Sequence, residues 1–145
     1  MAAGKGTRLR PLTHAVPKEM LRVGEKPAIH HGINLLKNGG VKDLLVIVGR
    51  KKEAIVDYLG SGNRFGIDIY YRVQEEPKGT ADAVSLGEEF ISKDDDFIVM
   101  YGDNYLRPYE KMSEIVKFYE EKDCDGVIVT HLEEDPRQLG IVDID

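Results

Sequence analysis

Apolar runs closed by turn residues punctuate the chain at 43–49 (DLLVIVG), 67–71 (IDIYY), 96–101 (DFIVMY) and 126–130 (GVIVT). Each has the length of a strand, and the first, third and fourth are continuous enough to be buried on both faces of a sheet. Residues 140–144 alternate and read as one more strand, near an edge. Between the runs lie helical patterns. In 110–122, Met112, Ile115, Val116 and Tyr119 recur at helical spacing, so one face should pack on the sheet. The helix at 27–38 begins with Pro27 in its first turn and stops at Gly39-Gly40, the usual asymmetry of helix ends. Two shorter helices are expected at 52–59 and 80–90, the latter capped by Thr80. Strands alternating with helices predict an α/β fold, doubly wound around a mainly parallel sheet. Met1-Ala2-Ala3 reads as the last step of a strand whose earlier residues are absent.

Composition narrows the function classes. At 145 residues the chain fits one domain, long enough to bury roughly 70% of its unfolded surface. A formal charge of −6 gives no electrostatic footprint for a nucleic-acid or membrane-surface partner. No run approaches the ~18 apolar residues of a membrane span, and no leader pattern opens the chain, so a cytoplasmic protein is expected. Cys124 is the single cysteine, which excludes an intrachain disulfide and suits a reducing compartment. It is expected to be a small buried hydrophobe at a helix-to-strand junction.

The chemistry concentrates at the start, in AAGKGTRLRPLT followed by PKEML. Gly4 and Gly6 let backbone N–H groups converge on an anion, and Arg8 and Lys18 add full positive charge. A P-loop is excluded because Gly4-Lys5 is followed by Gly6 rather than Ser or Thr, and a dinucleotide fingerprint because Leu9 replaces the third small residue. In open α/β sheets ligands bind beyond the carboxyl ends of the strands. The loop at 74–83 (QEEPKGTADA) and the Gly102-Asp103-Asn104 turn both follow apolar runs, and so should meet the glycine loop at one edge. Gln74 carries a donor and an acceptor on one planar amide, suited to a base edge. Asp103 follows a buried run, where an unpaired carboxylate is costly without a cation or hydrogen bonds. Asp94-Asp95-Asp96 reads as a solvated turn before a strand. His30 and His31 face different ways on a helix, His14 and His131 lack partners at metal spacing, and no histidine is assigned chemistry.

Gly-x-Gly-Thr-Arg-Leu-x-Pro-Leu-Thr, with Pro-Lys ten residues after the Arg and Lys26-Pro27 beyond, closely resembles the signature of the sugar-1-phosphate nucleotidyltransferases, which include glucose-1-phosphate thymidylyl- and uridylyltransferases. The resemblance implies a Rossmann-like sheet, truncated relative to the family, with residues 1–145 as the nucleotide-binding core, the first strand clipped and the acceptor half missing. It implies transfer of a nucleotidyl group from a nucleoside triphosphate, UTP or dTTP, to a sugar-1-phosphate, with Mg²⁺ as cofactor. By the same resemblance Arg8 and Lys18 are catalytic, lying near the leaving pyrophosphate and the α-phosphate respectively. Ala3, Gly4, Gly6, Thr7, Gln74, Gly79, Thr80 and Gly140 bind substrate, Gln74 and Gly79 reading the base, and Asp103 holds the metal. The family's Glu-Lys-Pro element and second metal Asp would lie beyond Asp145. A cytidylyltransferase for an alcohol phosphate such as phosphocholine, and a noncatalytic nucleotide-sensing or subunit-interaction module, are the rival readings. Self-association into a homo-oligomer stays open.

Overall fold

The computed structural model describes residues 1–4, 6–50, 52–76, 78–93, 95–132 and 142. Strands β3 (Asp43–Val48) and β4 (Asp68–Val73) pair in parallel, Asp43 opposite Asp68 through Val48 opposite Val73. The start of the chain extends this sheet. Ala2 bridges Val48 in parallel, with its N–H donating to the Ile47 carbonyl at 2.7 Å. On the other side of Met1, its amino group donates to the Met100 carbonyl and the Gly102 N–H donates to the Met1 carbonyl, both at 2.7 Å. The spatial order is therefore 100–102, 1–2, β3, β4. All four segments run the same way, so their carboxyl ends share one edge.

Helices cover both faces. Alternation along β3 sends Val46 and Val48 to one side, where they form a core with Ala2, Ile29 and Ile33 of helix α1 (Ala28–Asn38), and Ile55 and Leu59 of helix α2 (Glu53–Leu59). Leu35 and Leu36 of α1 continue into a second cluster with Met112, Ile115 and Val116 of helix α4 (Lys111–Glu121). Leu45 and Tyr70, paired in register, point the opposite way. There the segment after helix α3 (Thr80–Ser85) lies against them, Gly87 beside Leu45 and the Phe90 ring 5.1 Å from that of Tyr70, which stays 47% exposed. The fold is thus the expected α/β, doubly wound and mainly parallel, with helices on both sides of the sheet. Among the described residues no helix is long and apolar enough to cross a membrane.

Several elements depart from expectation. The 96–101 and 126–130 runs form no strands among the described residues. Among the described residues, the backbone bonds these runs make to another segment are those of residues 100–102 with Met1. Phe97, Val99 and Ile128 are consequently exposed rather than buried, at 57%, 48% and 79%. Cys124 is also exposed, since it joins α4 to a segment that does not enter the sheet. Pro27 caps α1 from outside, held in a short antiparallel hairpin of β1 (Arg22–Val23) and β2 (Lys26–Pro27). Gly79, at φ +110°, takes the cap position of α3, and Thr80 becomes its first helical residue. The expected 80–90 helix breaks after Ser85 and resumes as a 3-10 turn, Glu88–Phe90. The strand expected at 140–144 lies outside the described residues.

Gly62 shows how tightly the turn into β4 is built. It sits at φ +93°, and an added Cβ would lie 2.2 Å from the Ile67 carbonyl oxygen, a backbone atom fixed beside the Ile69 N–H to Ser61 hydrogen bond. Gly62→Ala should therefore destabilise the chain by about 2–4 kcal/mol through combined strain and overpacking. Urea denaturation monitored by circular dichroism checks this, and an unchanged midpoint would refute it.

Candidate active site

The glycine loop follows directly from the ladder at Ala2. Gly6 adopts φ +59°, and its carbonyl accepts a 2.7 Å hydrogen bond from the buried Thr13 hydroxyl. A Cβ on Gly6 would come within 3.0 Å of the Thr13 methyl, so the loop admits only glycine in this packing. Ala3 rests its backbone on Gly49, and Thr7 and Arg8 form a 3-10 turn, Thr7–Leu9. Lys5 lies outside the described residues.

Lys18 lies in the 3-10 turn Lys18–Met20 and reaches back under the loop. Its Cε is 3.3 Å from where a Gly4 Cβ would stand, so the glycine lets the ammonium pass close to the backbone. Lys18 Nζ then pairs with Asp103 Oδ2 at 2.7 Å. This one contact joins the glycine loop to the Gly102-Asp103 turn, as the sheet order requires. Both side chains remain partly exposed, at 23% and 33%. Arg8 is exposed and makes no hydrogen bond among the described residues, so the structure does not bring it against the other candidates.

The 74–83 loop closes the third side. Gln74 extends the ladder, its N–H donating to the Val48 carbonyl, and its side chain is buried. Its amide Nε2 donates to Asp82 Oδ2 at 2.6 Å and to the Gly79 carbonyl at 3.3 Å. Thr80 Oγ1 lies 3.3 Å from the Tyr101 hydroxyl, tying this loop to the Asp103 turn. Gln74, Gly79 and Thr80 are therefore brought together, and Gly4, Lys18 and Asp103 form a second group beside them. Gly140 is outside the described residues. Among the described residues no three His, Cys, Asp or Glu side chains gather in a way that could hold a metal ion, and the partner that Asp103 takes there is Lys18.

Two acidic residues were not legible as site components. Asp82 carries no sequence signal beyond its helix spacing from Gln74. Glu19 looks like a surface partner for Lys18, yet it is 1% exposed and both carboxylate oxygens lack a hydrogen-bond partner. Its Cγ lies 3.0 Å from the position of a Gly102 Cβ, directly behind the Asp103 turn. Burial pushes its carboxyl above the usual range, only partly opposed by its own nearby backbone N–H and the charge of Lys18. Histidines are engaged structurally: His31 Nε2 lies 2.9 Å from the Val23 carbonyl and its Nδ1 faces the Tyr109 hydroxyl, while His30 Nδ1 lies 2.9 Å from the Tyr58 hydroxyl.

An open α/β sheet thus gathers a glycine loop, a lysine–carboxylate pair and a buried amide at one edge. Residues 1–145 match the family model described as nucleotidyl transferase, and the chain belongs to that family. It is 38% identical to the low-salt glycan biosynthesis nucleotidyltransferase Agl11 of Haloferax volcanii, over 100% of this chain and 40% of that protein. It is 32% identical to the mannose-1-phosphate guanyltransferase of Yarrowia lipolytica, over 98% and 39%. A Bacillus anthracis crystal structure in complex with sucrose, assigned as a glucose-1-phosphate thymidylyltransferase, superposes with a TM-score of 0.75 at 35% identity, over 83% of this chain and 49% of that one. The chain thus spans about two fifths to one half of the relatives it matches.

Because the Glu19 carboxyl titrates higher in the folded state than its unfolded value of 4.5, the native chain holds more protons than the unfolded chain between the two values. Stability contributed by this group is full below the unfolded value and is lost as pH rises through the folded one. Glu19→Gln should remove that component. The stability difference between variant and wild type should therefore shift in the variant's favour from pH 4 to pH 8, as read by urea denaturation; a constant difference would refute the assignment.

Proposed function

We propose that residues 1–145 form the nucleotide-binding core of an enzyme that transfers a nucleotidyl group from UTP or dTTP to a sugar-1-phosphate, releasing pyrophosphate. The observation that carries this reading is the Lys18–Asp103 pair held under the Gly4 backbone. It sets a cation and a hard oxygen donor where a triphosphate would meet backbone N–H groups. In the reaction a sugar-phosphate oxygen attacks the α-phosphorus, a new P–O bond forms, and the bond to the β-phosphate oxygen breaks with its electrons leaving on pyrophosphate. The nucleophile arrives already anionic, so the chain needs no covalent intermediate; it aligns the groups and offsets charge.

Within this reading Lys18 exchanges Asp103 for the α-phosphate. A partly exposed ion pair contributes little net energy, so the exchange costs little. Arg8 swings its planar fork onto the departing phosphates. Asp103 fits Mg²⁺ as a single carboxylate, the number such sites commonly use, with phosphate and water completing the shell. When bound, that ion would neutralise charge on the triphosphate. Gln74 and Gly79 face the base, and Thr80 steadies their loop against Tyr101.

In the longer enzyme that contains this core, Lys18→Ala should lower turnover by about 100-fold while weakening nucleotide binding much less, since the lysine acts chiefly on charge developing in the transition state. Pyrophosphate release from UTP and glucose 1-phosphate reads this, and near-normal turnover would leave Lys18 as a structural ion pair. Arg8→Lys should also be harmful, because it keeps charge but loses the fork.

Metal and nucleotide should each raise the affinity for the other by one shared factor. Asp103→Asn should abolish that coupling with the fold intact. Mn²⁺ titrations with and without UTP, followed by water-proton relaxation, check it; coupling retained in the variant would make Asp103 a structural residue.

A further inference from the structure

The neighbours of the Gln74 amide determine which way it faces. Nε2 has two protons, and both point at groups that can only accept: the Asp82 carboxylate at 2.6 Å and the Gly79 carbonyl at 3.3 Å. Reversing the amide would set its oxygen against two oxygens, so the orientation follows from chemistry rather than from choice. Oε1 is then the group left over. It takes no donor among the described residues, and the buried unpartnered side-chain oxygens found there both belong to Glu19, so Oε1 opens outward. Asp82 is fixed in turn by its place in α3, whose cap is Gly79 itself.

We infer that Asp82 is a positioning residue that locks the Gln74 amide with its oxygen outward, so that the site takes a base with a ring N–H, as uracil and thymine have at N3, and disfavours cytosine. This rests on the reading of Gln74 as the base contact given above. An outward acceptor meets the N3–H of uracil with a hydrogen bond, whereas cytosine N3 presents a lone pair to another lone pair. Gln74 alone is indifferent, since a free amide can present either end. The preference comes from the acidic residue behind it, which needs no contact with the nucleotide.

The test has two arms. Nuclear magnetic resonance of the chain without nucleotide should show the Gln74 side-chain N–H shifted downfield and slowed in solvent exchange, and Asp82→Asn should abolish both effects. An ordinary exposed-amide signal in the wild type would overturn the inference whatever the nucleotide results. Calorimetric titration with UTP and CTP in the presence of Mg²⁺ forms the second arm. Wild type should favour UTP, and Asp82→Asn should reduce the UTP-to-CTP ratio by about tenfold, because only the longer 3.3 Å contact with the Gly79 carbonyl then orients the amide. Gln74→Glu alone should weaken UTP binding by opposing two carboxylates. Adding Asp82→Asn to it should restore the UTP preference, since the new amide donates to the new carboxylate and an oxygen again faces outward. Equal UTP and CTP affinity in wild type, or an unchanged ratio in Asp82→Asn, would overturn the inference. Binding of neither nucleotide, with the downfield amide present, would instead refute Gln74 as a base contact while leaving its orientation by Asp82 demonstrated.

Discussion

A two-residue ladder holds the site together. Met1 and Ala2 lie between residues 100–102 and the end of β3, bonded to each side by backbone hydrogen bonds of 2.7 Å. Because all the segments run in parallel, the loops leaving their carboxyl ends start side by side. The glycine loop departs from the middle position, the Asp103 turn from one neighbour, and Gln74 from beyond β3. Each supplies something the others lack: backbone donors and a cation, a hard carboxylate, and an oriented amide. No side-chain contact could gather these groups if that short stretch of backbone were out of register.

The Lys18–Asp103 pair is the electrostatic counterpart of that arrangement. It is satisfied, partly exposed and therefore easily exchanged, which suits groups that must trade partners when a ligand arrives. Glu19 behind it differs in every respect: buried, unpartnered and pushed towards its neutral form. Adjacent residues in one 3-10 turn thus serve opposite ends, one projecting into the site and the other lying behind its wall. Gly102 accommodates this wall, since a side chain there would meet Glu19, the Met1 carbonyl and Ala2 together.

Much of this was legible in the sequence, for local reasons. Helix α4 carries clear periodicity, α1 has a proline and glycines marking its ends, and β3 and β4 are apolar runs with a partner available. That Lys18 and Asp103 lie close together was legible because the loops carrying them were expected at one edge of a parallel sheet, while their roles came from resemblance to the family. What could not be read depends on contacts distant in the chain. The 96–101 run has the composition of a buried strand, but composition does not reveal how much backbone lies beside it. The role of Gly79 as helix cap displaced Thr80, whose hydroxyl turned instead to Tyr101. Glu19 gave no sign of burial, because charged residues are usually exposed. Asp82 is unremarkable until the fold places Gln74 beside it.

The exposed apolar residues at 97–99 and 127–129 also bear on how the chain behaves in solution. Phe97, Ile98, Val99, Val127 and Ile128 are all exposed and lie outside any strand among the described residues, so their apolar side chains meet solvent. Opposing contact between copies is the repulsion of a net −6 chain, which acts over a Debye length of about 8 Å at physiological ionic strength and shrinks as salt is added. Apolar contact acts at short range and is not screened. Salt therefore weakens the repulsion between copies of this chain without weakening the attraction between their exposed apolar side chains.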